Sequence, residues 1–116
     1  MDEVWWDVMK LTDKELEVMI VLWENEHPMT ATELIKTSSN RTWKESSIYT
    51  ILNTLVRKGA VVLTHYKPTM TNAARAYKPV ITSEDYTVSN IEDMIKTGVR
   101  IDIPTLVAHL MDIKER

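Results

Sequence analysis

The stretch TWKESSIYTILNTLVRKGAVVLTHY, residues 42–66, decides the fold because its hydrophobic period changes at Gly59. Before this glycine, apolar residues recur at the three- and four-residue spacing of one helix face. They are Ile48, Ile51, Leu52, Leu55 and Val56. Gly59 suits the left-handed position that ends a helix, and residues 60–66 are mostly apolar and β-branched without helical spacing. The stretch therefore predicts a helix over residues 43–58 that leads directly into a β-strand.

Capping boxes predict where the helices around this stretch begin. Each box pairs a Thr with an acidic residue three positions later, and each side chain can bond the other residue's backbone amide. The boxes are Thr12/Glu15, Thr30/Glu33, Thr42/Glu45 and, in weaker form, Thr82/Asp85. Together with the apolar spacing they predict helices over residues 13–25, 31–38, 43–58, 83–97 and 104–114. The stripe that the first helix is expected to bury consists of Leu16, Met19, Ile20 and Trp23.

Two β-rich runs complete the predicted architecture. Residues 60–66 and 75–81 form the arms of a hairpin, and the turn between them contains Pro68. Three helices followed by a hairpin is the order of the winged helix-turn-helix. We therefore expect a mainly α fold with a small β-hairpin, residues 60–81, as its wing. Residues 1–82 would form this winged-helix domain, and residues 83–116 would form a C-terminal helical segment.

The net charge of −3 conceals a strongly polarised chain. Residues 1–40 carry nine acidic and three basic residues, and residues 79–116 carry seven acidic and four basic residues. Between them, residues 41–78 carry seven basic residues and only Glu45 as an acid. Electrostatic attraction is screened beyond ~8 Å in physiological salt. A phosphate backbone would therefore respond to the basic middle segment rather than to the charge of the whole chain.

The helix predicted over residues 43–58 points hydrogen-bonding side chains away from its apolar stripe. The opposite direction carries Ser46, Thr50, Asn53 and Arg57, with Tyr49 at its border. Such side chains can read base edges in a DNA major groove, and a recognition helix presents its N-terminal part to the bases. We assign base readout to Ser46, Ser47, Thr50 and Asn53. Phosphate contacts are expected from Thr30, Thr32, Thr42, Lys44, Thr54, Arg57, Lys58, Lys67 and Arg75.

A protein-interaction module without sequence-specific DNA binding is the alternative function. A polar outer face is the default for any surface helix, and the basic segment could meet an acidic protein instead of DNA. Some expected DNA contacts also have structural explanations, since Thr30 and Thr42 would cap helices and Lys58 would complement a helix dipole. Trp43 is more typical of a residue packed beneath the turn than of a DNA contact. The salt dependence of duplex binding separates the two functions.

Enzymatic, metal-dependent and membrane functions have no support in the sequence. The chain has no Cys, and its three His residues lack the spacing of metal ligands. Two Gly residues are too few for a phosphate-binding loop. No apolar run approaches the ~20 residues of a membrane span, and residues 1–10 do not resemble a secretory signal. We therefore expect a cytoplasmic protein without enzyme activity, metal, cofactor or membrane partner. Trp5 and Trp6 have no assigned role.

Three segments of the chain resemble one family of bacterial regulators. LTDKELEVMIVLWE at residues 11–24, TATELIK at residues 30–36 and TW-x4-IYTILNTLVRKGAV at residues 42–61 carry the resemblance. They are similar to the penicillinase-repressor family, the BlaI/MecI/CopY group, with a weaker echo in SEDY at residues 83–86. The resemblance implies a dimeric transcriptional repressor whose winged helix binds half of an inverted-repeat operator in double-stranded DNA.

The C-terminal segment is expected to hold the homodimer together. The resemblance assigns dimerisation to this region, and short amphipathic helices appended to a small domain seldom stay folded without a partner surface. The expected dimer residues are Val88, Ile91, Met94, Ile95, Leu106, Val107, Leu110 and Met111. In the β-lactam-responsive branch of the family, proteolysis within this region inactivates the repressor, and Asn90-Ile91 lies nearby. The resemblance thus adds a regulatory protease or sensor as a candidate partner, while the absence of Cys excludes the cysteine cluster of the copper-responsive branch.

Overall fold

The computed structural model describes residues 10–68 and 73–115, in which three helices precede a β-hairpin and two helices follow it. Trp5 and Trp6 lie outside the described residues. The elements in chain order are α1 (Asp13–Glu24), β1 (Met29–Thr30), α2 (Ala31–Thr37), a 3₁₀ turn (Glu45–Ser47), α3 (Ile48–Lys58), β2 (Val61–Pro68), β3 (Ala73–Pro79), α4 (Ser83–Thr97) and α5 (Ile103–Lys114). This order is that of a winged helix-turn-helix with two further helices, as the sequence predicts.

The capping boxes at Thr12 and Thr30 start α1 and α2 as predicted. At α1, the Thr12 hydroxyl accepts from the Glu15 amide at 3.2 Å, and the Glu15 carboxylate accepts from the Thr12 amide at 2.9 Å. At α2, Thr30 and Glu33 repeat both bonds at 3.1 and 2.9 Å. Thr82 caps α4 by accepting from the amide of residue 85 at 3.0 Å. These bonds are local, which is why the sequence reveals them.

The predicted box at Thr42 is wrong. Among the described residues no side chain caps the 3₁₀ turn, which follows Lys44, and the α-helix itself begins only at Ile48. The Thr42 hydroxyl and amide donate instead to the carboxylate of Glu17 on α1. A long-range partner therefore displaces the local one, and the helix predicted from residue 43 starts with a tighter turn.

The hydrophobic core lies where α1, α2 and α3 pack on one side of the sheet. On α3, the residues predicted to face inward are buried except Val56, whose side chain is 42% exposed. On α1, the buried apolar residues are Val18, Met19 and Leu22, whereas Leu16 is half-buried and Ile20 is 43% exposed. The predicted stripe on α1 is therefore out of phase. Residues 16–23 are apolar on nearly every side except Glu17, so their spacing alone does not select one face.

A third strand completes the sheet and was not predicted. Strands β2 and β3 pair antiparallel, with Val61 opposite Pro79, and the register shifts between Leu63 and His65. Strand β1 pairs antiparallel with β3, which places it at the opposite edge in the order β1-β3-β2. Two residues are too few to show a period of two, so only the pairing reveals this strand.

Gly59 closes α3 as the sequence predicts. Its φ of 81° lies in the left-handed region, and the Ala60 amide donates to the Leu55 carbonyl at 3.0 Å. A residue with a Cβ atom would be strained in this conformation. The glycine thus turns the chain from α3 directly into β2, the first strand of the hairpin.

Helix α4 is anchored to the winged helix at its beginning. The Trp23 indole N–H donates to the Ile81 carbonyl at 2.8 Å, and the ring of Trp23 lies 6.1 Å from that of Tyr86. Farther along, Lys10 pairs with Asp93 at 3.6 Å. Helix α5 differs, because each of its residues is at least partly exposed. The anchored end of α4 and the exposed α5 define the C-terminal segment.

Leu55→Ala should lower the free energy of unfolding by about 2–5 kcal/mol, because this side chain is fully buried and its removal leaves a cavity. Val56→Ala should cost roughly 1 kcal/mol or less, because much of the valine is in solvent. Urea-induced unfolding followed by circular dichroism measures both changes. Equal losses of unfolding free energy in the two variants would mean that Val56 is buried, which would contradict the observed orientation of α3.

Candidate nucleic-acid interface

Helix α3 and the 3₁₀ turn before it present a continuous exposed surface opposite the buried stripe of α3. Ser46 in the 3₁₀ turn and Thr50, Asn53 and Arg57 on α3 are all exposed. Because residues spaced by three and four lie on the same side of a helix, these four side chains form one surface, here called the polar face. The outward direction predicted from the sequence is therefore the observed one.

The Arg57 guanidinium is held beside the polar face. One of its N–H groups donates to the Thr54 hydroxyl at 3.0 Å, and this hydroxyl in turn donates to the Thr50 carbonyl at 2.9 Å. An Arg side chain carries five N–H donors, so the bond to Thr54 positions the group without using up its capacity for an anion. The half-buried Thr54 thus supports Arg57 instead of reaching outward on its own.

Three residues predicted to contact phosphate are occupied within the protein. Thr30 is buried, with its hydroxyl and amide engaged in the cap of α2. Lys58 donates from Nζ to the Glu15 carboxylate at 2.6 Å and to the Lys10 carbonyl. Thr42 is bonded to a carboxylate, which would repel a phosphate. These contacts give all three side chains a structural role within the fold, and their contacts with phosphate stay predictions.

The other predicted contacts lie in several parts of the winged helix. Lys44 is exposed directly before the 3₁₀ turn, and Thr32 is exposed on α2. Ser47 is half-buried at the end of the 3₁₀ turn, directly before α3. Arg75 is exposed on β3, whereas the side chain of Lys67 lies outside the described residues. Besides the polar face, the predicted contact Arg75 on the hairpin is therefore exposed.

The turn before α3 is tied to α1 by a bidentate contact. The Thr42 amide and hydroxyl donate to the two Glu17 oxygens at 2.9 and 2.6 Å. The hydroxyl bond, followed by the amide bond, lowers the pKa of Glu17 below its ordinary value of 4.5. This contact fixes the position from which the recognition helix starts.

The segment before α3 is also held by the packing of Trp43 in the core. This side chain is 3% exposed, and the Arg41 guanidinium lies 5.0 Å from the centre of its ring. Arg41 also donates to the Ile35 and Ser38 carbonyls at the end of α2. Trp43 is therefore a packing residue, as its position suggested, and the angle between α2 and α3 is held by contacts on both sides of the turn.

Two large side chains of α3 are exposed beside the polar face, and the sequence did not predict the exposure of Val56. Tyr49, placed at the border of the polar face by the sequence, is 59% exposed, and Val56 was expected to point inward. Their separation of seven residues puts both on the same border of the helix. The helical wheel places Val56 close to Tyr49, but the hydrophobicity of the valine favoured burial.

The C-terminal helices expose an apolar surface in the single chain. Of the residues predicted to form the dimer, Ile91 and Leu106 are half-buried. The exposed ones are Val88, Met94, Ile95, Val107, Leu110 and Met111. This exposure is large for helices 15 and 12 residues long, and it leaves their apolar side available to a partner.

The described ranges hold no group of three His, Asp or Glu side chains that could bind a metal ion. In the same ranges, no helix combines the length and the apolar character that are needed to cross a membrane.

Comparison with known proteins identifies the family. The model of the penicillinase repressor family matches residues 11–115. The chain belongs to this family. Its members are transcriptional repressors and not enzymes. The match over residues 11–115 confirms the resemblance that the sequence motifs carry, and it extends beyond those motifs.

The individual proteins that resemble this penicillinase-repressor family member share only a minority of their residues with it. The penicillinase repressor of Bacillus licheniformis is 34% identical over 79 residues, which is 68% of this chain and 58% of the length of that relative. Among solved structures, the ferric uptake regulator Fur of Helicobacter pylori is 16% identical with a TM-score of 0.48, covering 81% of this chain and 73% of that one.

Thr42→Val should lower the free energy of unfolding by about 0.5–1 kcal/mol at pH 7, because it removes one of the two bonds to an exposed carboxylate. The pKa of Glu17 is depressed in the folded chain, so this stabilisation is complete above the ordinary value of 4.5 and is lost as the pH falls through the depressed value. The difference from the wild type should therefore shrink in acid.

Urea unfolding of both proteins at several pH values measures this difference, with Thr32→Val on an exposed site of α2 as the matched control. A difference that stays constant into acid would show that the hydroxyl stabilises the turn without the Glu17 charge.

Proposed function

We propose that the chain represses transcription by binding an inverted-repeat operator in double-stranded DNA as a homodimer. In this proposal α3 and its preceding 3₁₀ turn enter the major groove, and the hairpin β2–β3 lies against the sugar-phosphate backbone. The observation that carries it is the polar face: four hydrogen-bonding side chains, none of them acidic, stand exposed on a helix whose other side is buried.

The chemistry of the polar face supports contacts with bases at one end and phosphates at the other. Ser46 and Thr50 lie at the beginning of the recognition element, where base edges are read, and Asn53 can pair with adenine. Arg57 lies in the last turn of α3, where its always-charged guanidinium suits a phosphate. Ser47 is half-buried beside them and contributes less surface.

The electrostatics of the region favour the same partner. Glu45, the one acid in residues 41–78, is paired with Arg41 at 3.3 Å, which reduces its repulsion of a phosphate. Lys44, before the 3₁₀ turn, and Arg75, on β3, add two exposed positive charges. The acidic segments lie elsewhere in the sequence, so duplex binding depends on this side of the molecule and on salt.

The apolar surface of α4 and α5 supports the homodimer. Val107, Leu110 and Met111 recur at helical spacing on α5 and are each about half exposed. A two-fold interface between two such surfaces would bury these side chains on both chains at once. It would also join two recognition helices, so that both half-sites are bound as one unit.

A regulatory protease or sensor would act on this same segment. Asn90 and Ile91 lie inside α4, with Asn90 exposed and Ile91 half-buried. Cleavage of a peptide bond within a helix requires the helix to open locally. Release by proteolysis would therefore depend on how firmly the dimer holds α4.

Arg57→Ala should weaken binding to all duplexes by a similar factor and make the salt slope shallower by about 1, because one phosphate contact is lost. Fluorescence anisotropy of a labelled duplex at several salt concentrations measures both quantities. Arg100→Ala is the matched control, since it removes the same charge from an exposed position after α4.

A change of sequence preference without a change of slope would move Arg57 from phosphate to base contact. Flat salt dependence of the wild type, or no duplex binding at low salt, would instead favour a winged helix that binds an acidic protein.

Leu110→Glu should convert the dimer into a monomer at micromolar concentration and weaken operator binding by at least tenfold, because a charge enters the apolar interface. Ala108→Glu adds the same charge on the polar side of α5 and should leave the dimer intact. Analytical ultracentrifugation measures the oligomeric state. A monomeric wild type, or equal effects of the two substitutions, would contradict a dimer formed through this surface.

A further inference from the structure

Tyr49 places a large aromatic ring at the edge of the polar face. It lies in the first turn of α3 and is 59% exposed, whereas the neighbouring Ile48 and Ile51 are buried. Its spacing of three from Ser46 and of four from Asn53 makes it a neighbour of both along the helix surface. The polar face therefore has an aromatic residue next to its base-reading end.

The aromatic ring is part of an apolar border. Val56, seven residues farther along, lies on the same side of the helix and is 42% exposed. Single exposed apolar residues are common, but two on one border of a recognition helix line up with the surface that would enter the groove. Val56 is near the end of α3, so Tyr49 is the one placed to reach a base.

The apolar feature of the major groove is the 5-methyl group of thymine. A half-exposed tyrosine ring beside serine and asparagine can cover this methyl group and exclude water from it. We propose that Tyr49 is a specificity-determining residue whose ring contacts the 5-methyl group of one thymine in each operator half-site. This inference rests on the proposed function, because it requires α3 to lie in the groove.

The tyrosine hydroxyl offers a competing explanation that the experiment separates. A phenol can donate to a phosphate, which would give affinity without reading a base. Tyr49→Phe removes that donor and keeps the ring. A methyl contact therefore survives in Tyr49→Phe and is lost in Tyr49→Ala.

The experiment begins with selection of the operator from random duplexes by the full wild-type chain. Each thymine of the selected half-site is then replaced in turn by deoxyuridine, which lacks only the methyl group, and affinities are measured by fluorescence anisotropy. Loss of the contacted methyl should weaken wild-type binding about fourfold per half-site. Tyr49→Ala should bind the thymine and uracil duplexes equally at that position, and Tyr49→Phe should behave like the wild type.

Val56→Ala is the matched control, because it shortens the other exposed apolar side chain on the same border, near the end of α3. It should keep the sensitivity that Tyr49→Ala loses. Because Tyr49 and Val56 are both exposed, all three variants should unfold close to the wild-type urea concentration, which shows that a loss of sensitivity is not a loss of fold.

The outcomes distinguish this inference from the function on which it rests. If the wild type selects no duplex, the proposed function itself fails. If it binds a selected duplex but no uracil substitution weakens it, or if Tyr49→Ala remains as sensitive as the wild type, only the role of Tyr49 is overturned.

Discussion

Burial of the apolar stripe of α3 is the constraint on which the rest of the structure depends. Ile48, Leu52 and Leu55 are almost completely removed from solvent, and they pack in one core with Met19 and Leu22 of α1. A helix with one buried side has no freedom to rotate about its axis, because turning it would expose these residues. The direction of the polar face therefore follows from the core, and the hydrogen-bonding residues need no contacts of their own to be presented.

The first helix supports both ends of the recognition element. Glu15 accepts from Lys58 at the end of α3, and Glu17, two residues later, accepts from Thr42 before its start. Helix α1 therefore contacts Thr42, before the 3₁₀ turn, and Lys58, the last residue of α3. Lys58 was expected to bind phosphate. Its removal would instead leave a buried carboxylate with one partner fewer, which is costly for stability.

The two parts of the chain differ in how completely they satisfy their apolar residues. In the winged helix the apolar faces of α1, α2 and α3 meet each other and the sheet. In the C-terminal segment the beginning of α4 is held through Trp23, Ile81 and Tyr86 and its later part through the pair of Lys10 with Asp93, whereas α5 keeps its apolar side exposed. The exposed apolar side of this segment is the surface on which the proposed homodimer rests, and the Trp23 contacts join the segment to α1.

The sequence by itself determined the helix starts at Thr12, Thr30 and Thr82, the stop at Gly59, the hairpin and the outward direction of the polar face. All of these follow from interactions within a few residues or from a regular helical period. Only the tertiary structure decided which side of α1 is buried, the pairing of β1, and the partners of Thr42 and Lys58. It also decided that Val56 stays exposed. Those features depend on contacts between segments far apart in the chain, where a locally plausible choice is overruled by whichever partner the fold brings within reach.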